Sequence, residues 1–220
     1  MNWKSSEWLR HDAKEAVTLT RINAEVRREE LVEAAIRVMA REGLDRATTR
    51  RIAEEAGAAP GIFHYVFRGK TELLEAVIGA VTQQVEQVLR DAVDPRKGLA
   101  AAISDAAQVF WQHVLADDGL QLMQYELVIF CRRTPGLEWL ADWQYARYIA
   151  AATEVLGAAA EHDAAPSAIS LDQLARFLVA AVDGLVLQYA VHHDAEQSQH
   201  DVSNVITAAT ALTGLASSAS

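Results

Sequence analysis

Apolar positions recur at helical spacing along most of this chain. Leu31, Ala34, Ala35, Val38 and Met39 form one stripe within 23–42, which predicts a helix that stops at Gly43. A second helix is predicted over 48–56, stopped by Gly57, with Ile52, Ala53 and Ala56 inward. A third covers 60–66, with Ile62, Phe63, Val66 and the following Phe67 inward. The fourth, 70–91, carries Leu73, Leu74, Val77, Val81, Val85 and Val88 in register and is broken by Asp94-Pro95. Five more follow at 97–115, 118–132, 136–159, 168–193 and 202–215. Each of the four prolines, Pro60, Pro95, Pro135 and Pro166, stands where a helix can begin. No strand-like alternation persists. The expected fold is all-α, about nine helices, with a small N-terminal three-helix head and a larger C-terminal helical body.

Composition narrows the class. The chain has 220 residues, 51% hydrophobic and 23% charged, as in soluble globular proteins. No uninterrupted apolar run approaches the ~18 residues that a bilayer span needs. The first residues, MNWKSSEWLRHDAKEA, lack the apolar stretch of a signal peptide. Cys131 is the single cysteine, so no internal disulfide is expected and a reducing cytoplasm fits. Membrane partners are not expected.

The net charge of −10 argues against a polyanionic partner until its distribution is considered. Residues 1–75 hold 13 Lys/Arg and 13 Asp/Glu, so they are neutral; the remaining 7 Lys/Arg and 17 Asp/Glu put the whole −10 beyond residue 75. A local basic face in the head can therefore meet DNA while an acidic body is repelled by it.

With its apolar positions turned inward, the segment 47–74 leaves Ala59, Pro60, Gly61, His64 and Tyr65 facing out. Small residues at a helix start admit it to a groove, and His and Tyr can then reach bases or backbone. Thr48 and Thr49 stand where they can cap the second helix and also offer hydroxyls to phosphate. Arg50 can fork two hydrogen bonds onto a guanine edge or a phosphate. Lys70 opens the fourth helix, where a cation opposes the helix dipole and an external anion would compensate.

Residues 27–78 resemble the DNA-binding domain of the tetracycline-repressor (TetR) family of bacterial regulators. The resemblance lies in TTRRIAEEAG, Gly61, the Tyr65-x-Phe67 pair, and Lys70 with Glu72-Leu73-Leu74. It implies that Thr48, Thr49, Arg50, Ala59, Pro60, Gly61, His64, Tyr65 and Lys70 meet DNA. It also implies a head at 25–94, with its helix-turn-helix at about 48–67, and a ligand-binding and dimerisation domain at 95–220. Ala59 and Pro60 depart from the family, which often has Ser or Thr and then Lys there. Phosphate grip is therefore expected from Thr48, Thr49, Tyr65 and Lys70, and base reading from Arg50 and His64. Residues 1–24 form an arm, helical at most in part, whose Lys4, Arg10, Lys14 and Arg21 could touch a minor groove or leave the arm free or docked back.

The body is similar, more faintly, to the family's ligand domain, which implies a homodimer paired through its last two helices. Within 171–191 two apolar stripes run along one helix. Leu171, Leu174, Leu178, Val182, Leu185 and Tyr189 form the stripe assigned to the partner subunit, and Phe177, Ala180, Ala181, Gly184, Leu187 and Val191 form the other. Candidate residues for a small, largely apolar effector are Trp111, Met123, Tyr125, Glu126, Phe130, Trp139, Trp143, Tyr148, Phe177 and Gln188. Glu126 and Asp183, if buried, would favour a cationic ligand over an acid. His192, His193, Asp194, His200 and Asp201 read as a solvated connection rather than a metal site, and no cofactor is expected. The sequence holds no nucleophile elbow, phosphate loop, zinc signature or paired acid and base, so an enzyme is not expected. The reading is a ligand-responsive repressor that binds a palindromic operator. The alternative is a helical adaptor without sequence-specific DNA binding.

Overall fold

The computed structural model describes residues 5–59 and 61–215, with side chains from Ala24 onward. Among the described residues there are nine α-helices and no strand: α1 (Ser5–Glu42), α2 (Thr49–Glu55), α3 (Ile62–Val66), α4 (Lys70–Ala92), α5 (Leu99–Ala116), α6 (Asp118–Arg133), α7 (Glu138–Ala160), α8 (Leu171–His192) and α9 (Ala195–Thr213). The chain divides into two compact units, residues 1–77 and 78–220, with the division inside α4.

The first unit is built as the periodicity requires. Leu31, Ala34, Ala35, Val38 and Met39 of α1 are buried, as are Ile52 and Ala53 of α2, Phe63 of α3, and Leu73, Leu74 and Val77 of α4. The rings of Phe63 and Phe67 sit 5.4 Å apart. Ala56, Ile62 and Val66 are only half-buried, because helices this short turn little surface inward. Helix α1 begins far ahead of position 23: residues 5–22 contain neither Gly nor Pro, so nothing in them stops a helix.

The second unit packs α5 and α7–α9 around Leu99, Ile103, Val155, Leu156, Leu174 and Ala209. A neighbouring cluster joins Trp111, Val114, Val186 and Val202. Helix α8 starts on a capping box, Ser170 with Gln173, a few residues after the predicted start. Helix α9 starts seven residues before position 202, because Asp194 accepts the Gln197 N–H at 2.9 Å and caps it. By length and composition α8 could cross a membrane, with 22 residues and a mean hydropathy of 1.6 in its best window. The expectation from uninterrupted runs missed this, since Asp172, Arg176 and Asp183 interrupt a stretch that is strongly apolar on average.

Candidate functional site

In the head, charge pairing separates structural from available arginines. The Arg51 guanidinium donates to Glu42 at 2.8 and 3.0 Å and to Glu55 at 3.4 Å. Arg41 and Arg37 also donate to Glu55, at 2.8 and 3.2 Å. Both carboxyls are held below their ordinary pKa, Glu42 chiefly by Arg51 and Glu55 chiefly by Arg41. Arg28 lies 4.5 Å over the Phe67 ring and donates to Glu72, whose other oxygen accepts the Arg68 N–H at 2.9 Å. That clamp fixes the corner before Lys70. Arg46, Arg50 and Arg68 are exposed, and among the described residues their guanidinium groups have no hydrogen-bond or ion-pair partner. The neutral head thus still presents unpaired positive charge. The sequence does not single out Arg46 and Arg68; a paired arginine and an unpaired one look alike in a charge count.

Thr48 caps α2 by accepting the Arg51 N–H at 3.2 Å. Thr48, Arg50, Ala59, Gly61, His64, Tyr65 and Lys70 are exposed, Tyr65 to 66%, and Thr49 is half-exposed. Pro60 lies outside the described residues. The His64 ring packs edge-on against Phe63, 5.5 Å between centroids, which steadies it at the surface.

In the body, a cavity of about 100 Å³ lies among α4–α8. Its wall is apolar apart from three glutamines, three tyrosines and Asp183. Tyr125 and Tyr145 donate to the two oxygens of Asp183, each at 2.9 Å. Burial pushes the Asp183 carboxyl above its ordinary pKa, opposed by the hydrogen bonds from Tyr145 and Tyr125. Burial likewise raises the phenols of Tyr125 and Tyr145 and pushes Tyr148 up to about 12, so all three are protonated donors. A second hydrogen-bonded series runs from Gln144 Nε2 to Tyr148 (2.7 Å), from the Tyr148 hydroxyl to Gln124 Oε1 (2.5 Å), and from Gln124 Nε2 to Gln121 Oε1 (3.0 Å). Its two ends, Gln144 Oε1 and Gln121 Nε2, are buried without a partner among the described residues. Tyr145 and Val128 also line an open groove with Arg132, Asp142, Asp172 and Arg176.

Of the residues expected to hold an effector, the cavity gathers Tyr125 and Tyr148. Trp111 and Met123 are buried elsewhere, and Phe177 packs against the main core. Glu126 and Phe130 are half-buried outside the lining, while Trp139, Trp143 and Gln188 are exposed. Sequence reasoning missed Tyr145 and the three glutamines. Of the stripe assigned to a partner subunit, Leu174 is wholly buried, Leu171 and Leu178 pack on the main core, Val182 and Leu178 line the cavity, and Leu185 and Tyr189 pack beside Trp111. Of the other stripe on α8, Ala180 is exposed, Leu187 is at 48% and Val191 at 72%, while Phe177 packs on the core and Ala181 and Gly184 are half-buried. Among the described residues no group of three or more His, Cys, Asp or Glu is placed to hold a metal; His193 pairs with Asp118 at 3.4 Å.

An exposed helix-turn-helix segment in the first unit and a cavity in the helical second unit are the parts of a DNA-binding regulator with a ligand domain. Two family profiles match. "Bacterial regulatory proteins, tetR family" covers residues 31–77, and "Tetracyclin repressor-like, C-terminal domain" covers 94–213. The chain belongs to the TetR family, whose members are transcriptional regulators. It is 32% identical over 169 residues to the nicotine-responsive transcriptional repressor HdnoR of Paenarthrobacter nicotinovorans, covering 77% of this chain and 86% of that protein. Its fold is shared by a putative transcriptional regulator of Pseudomonas aeruginosa PAO1 (TM-score 0.68, 24% identity, 86% and 91% of the two chains). SmeT, the repressor of a Stenotrophomonas maltophilia multidrug efflux pump, also shares it (TM-score 0.60, 20% identity, 84% and 88%).

Proposed function

We propose that the chain is a ligand-responsive repressor that releases a palindromic operator when a small, largely apolar molecule occupies the body cavity. The observation that carries the DNA half is the exposure of Thr48, Arg50, Ala59, Gly61, His64, Tyr65 and Lys70 while Arg37, Arg41 and Arg51 are engaged by carboxylates. Thr48, Thr49, Tyr65 and Lys70 would grip phosphate, and Arg50 and His64 would read bases. Residues 25–94 would act as the reading domain and 95–220 as the effector and dimerisation domain of a cytoplasmic regulator without catalytic activity. A relative that answers to nicotine supports small-molecule control. In a gel shift at moderate salt, the purified protein should retard DNA from upstream of its own gene and not a scrambled duplex. Equal retardation of both would favour the adaptor reading.

A two-fold dimer would set two heads on the two half-sites of a palindrome. The stripe of exposed Ala180, Leu187 and Val191 with half-buried Gly184 on α8, together with Leu212 of α9 at 41% exposure, is the surface we assign to the partner. The double variant Leu187→Glu/Val191→Glu should raise the dimer dissociation constant by at least about tenfold, ~1.4 kcal/mol. Sedimentation velocity would read this as a shift to monomer; an unchanged dimer would move the interface elsewhere.

A further inference from the structure

This inference rests on the reading of the cavity as the effector site and names the chemistry of the effector. Among the described lining residues Asp183 is the one charged group; the wall brings no Lys, Arg or His to it. Asp183 is half-buried at the cavity wall, and a carboxylate partly withdrawn from water without a cation is costly. Two phenol hydrogens satisfy one lone pair on each oxygen, and a carboxylate has about four such acceptor sites. Two acceptor positions therefore remain beside an aromatic wall of Tyr125, Tyr145, Tyr148 and Phe110. That combination suits an ammonium group, which gains the carboxylate and the faces of the rings together. An acid would face an uncompensated like charge, and a neutral molecule would exclude water from the carboxylate without replacing it. The unpartnered Gln121 Nε2 and Gln144 Oε1 offer one donor and one acceptor to a polar group on the same molecule.

We propose that the effector is a monocationic amine with an apolar body, its nitrogen held by the Asp183 carboxylate and a hydrogen-bonding substituent met by Gln121 and Gln144. The full chain should be titrated calorimetrically with four probes of similar shape: phenethylamine, its permanently charged trimethylammonium analogue, phenethyl alcohol and hydrocinnamate. The two cations should bind at least roughly tenfold more tightly than the alcohol, and the acid most weakly. Asp183→Asn should close the gap between cation and alcohol. The unaltered protein supplies a second readout. Because burial raises the Asp183 pKa, affinity for the permanent cation should fall as pH is lowered while that for the alcohol stays flat. A cavity-filling variant, Val179→Phe, checked for folding by circular dichroism, locates the binding. If Val179→Phe abolishes binding but cation and alcohol bind alike, or Asp183→Asn keeps the preference, the amine inference falls and the effector cavity stands. If no cation binds, or Val179→Phe changes nothing, both fall.

Discussion

The double variant Arg50→Ala/Tyr65→Ala is expected to lose operator binding by about three orders of magnitude while remaining folded. Both side chains are exposed, and Arg50 has no partner among the described residues, so truncation removes no contact on which the head depends. Surface changes of that kind alter stability by roughly 0.5 kcal/mol or less. A lost base or phosphate contact costs ~1–3 kcal/mol. A two-fold dimer loses each contact twice, so even the lower bound gives ~4 kcal/mol, which is roughly a thousandfold in affinity. The control is the neighbouring arginine. Arg51→Ala removes the same charge, but from a guanidinium bound to Glu42 and Glu55. It should destabilise the head and weaken binding less than Arg50→Ala alone. Fluorescence anisotropy with an operator duplex, beside thermal unfolding of each variant, separates the two. Equal binding losses for Arg50→Ala and Arg51→Ala would reduce Arg50 to a general charge and remove it as a base reader.

The head was legible because two constraints agree there. Ile52, Ala53, Phe63, Phe67, Leu73 and Leu74 must turn inward, and the residues left over have groove chemistry. The body was less legible, because aromatic size is a poor sign of a pocket. Trp139 and Trp143 are on the exposed phase of α7, at 52% and 39%, while Gln144, Tyr148, Ala152 and Val155 occupy the phase that lines the cavity. A buried glutamine reads as surface until its partners are known. Helix α8 posed a different ambiguity. Both of its faces are apolar, and hydropathy cannot say which meets the chain's own core. Asp183 adjoins Val182 on the cavity side, and the tyrosines that make its partial burial tolerable lie 58 and 38 residues away in sequence.

Helix α4 carries a buried carboxylate that periodicity passed over. Glu86 is 3% exposed. It accepts two hydrogen bonds from the Arg147 guanidinium of α7, at 2.5 and 2.6 Å, and one from Arg90 at 3.3 Å. Removing one partner from a buried pair leaves an uncompensated charge. Arg147 is half-exposed and Arg90 stays in place, so Arg147→Met should destabilise the fold, but by less than breaking a fully buried pair would. Arg147 holds the Glu86 carboxyl below its ordinary value of 4.5. A depressed native pKa contributes stability that is complete above the unfolded value and is lost as pH falls through the native one. The difference in urea midpoint between the parent protein and Arg147→Met should therefore be largest near neutrality and shrink below about pH 4.5. Glu86→Gln should track the same loss with little pH dependence of its own. A gap between variant and parent that stays constant from pH 7 to pH 4 would show that Arg147 contributes packing rather than charge.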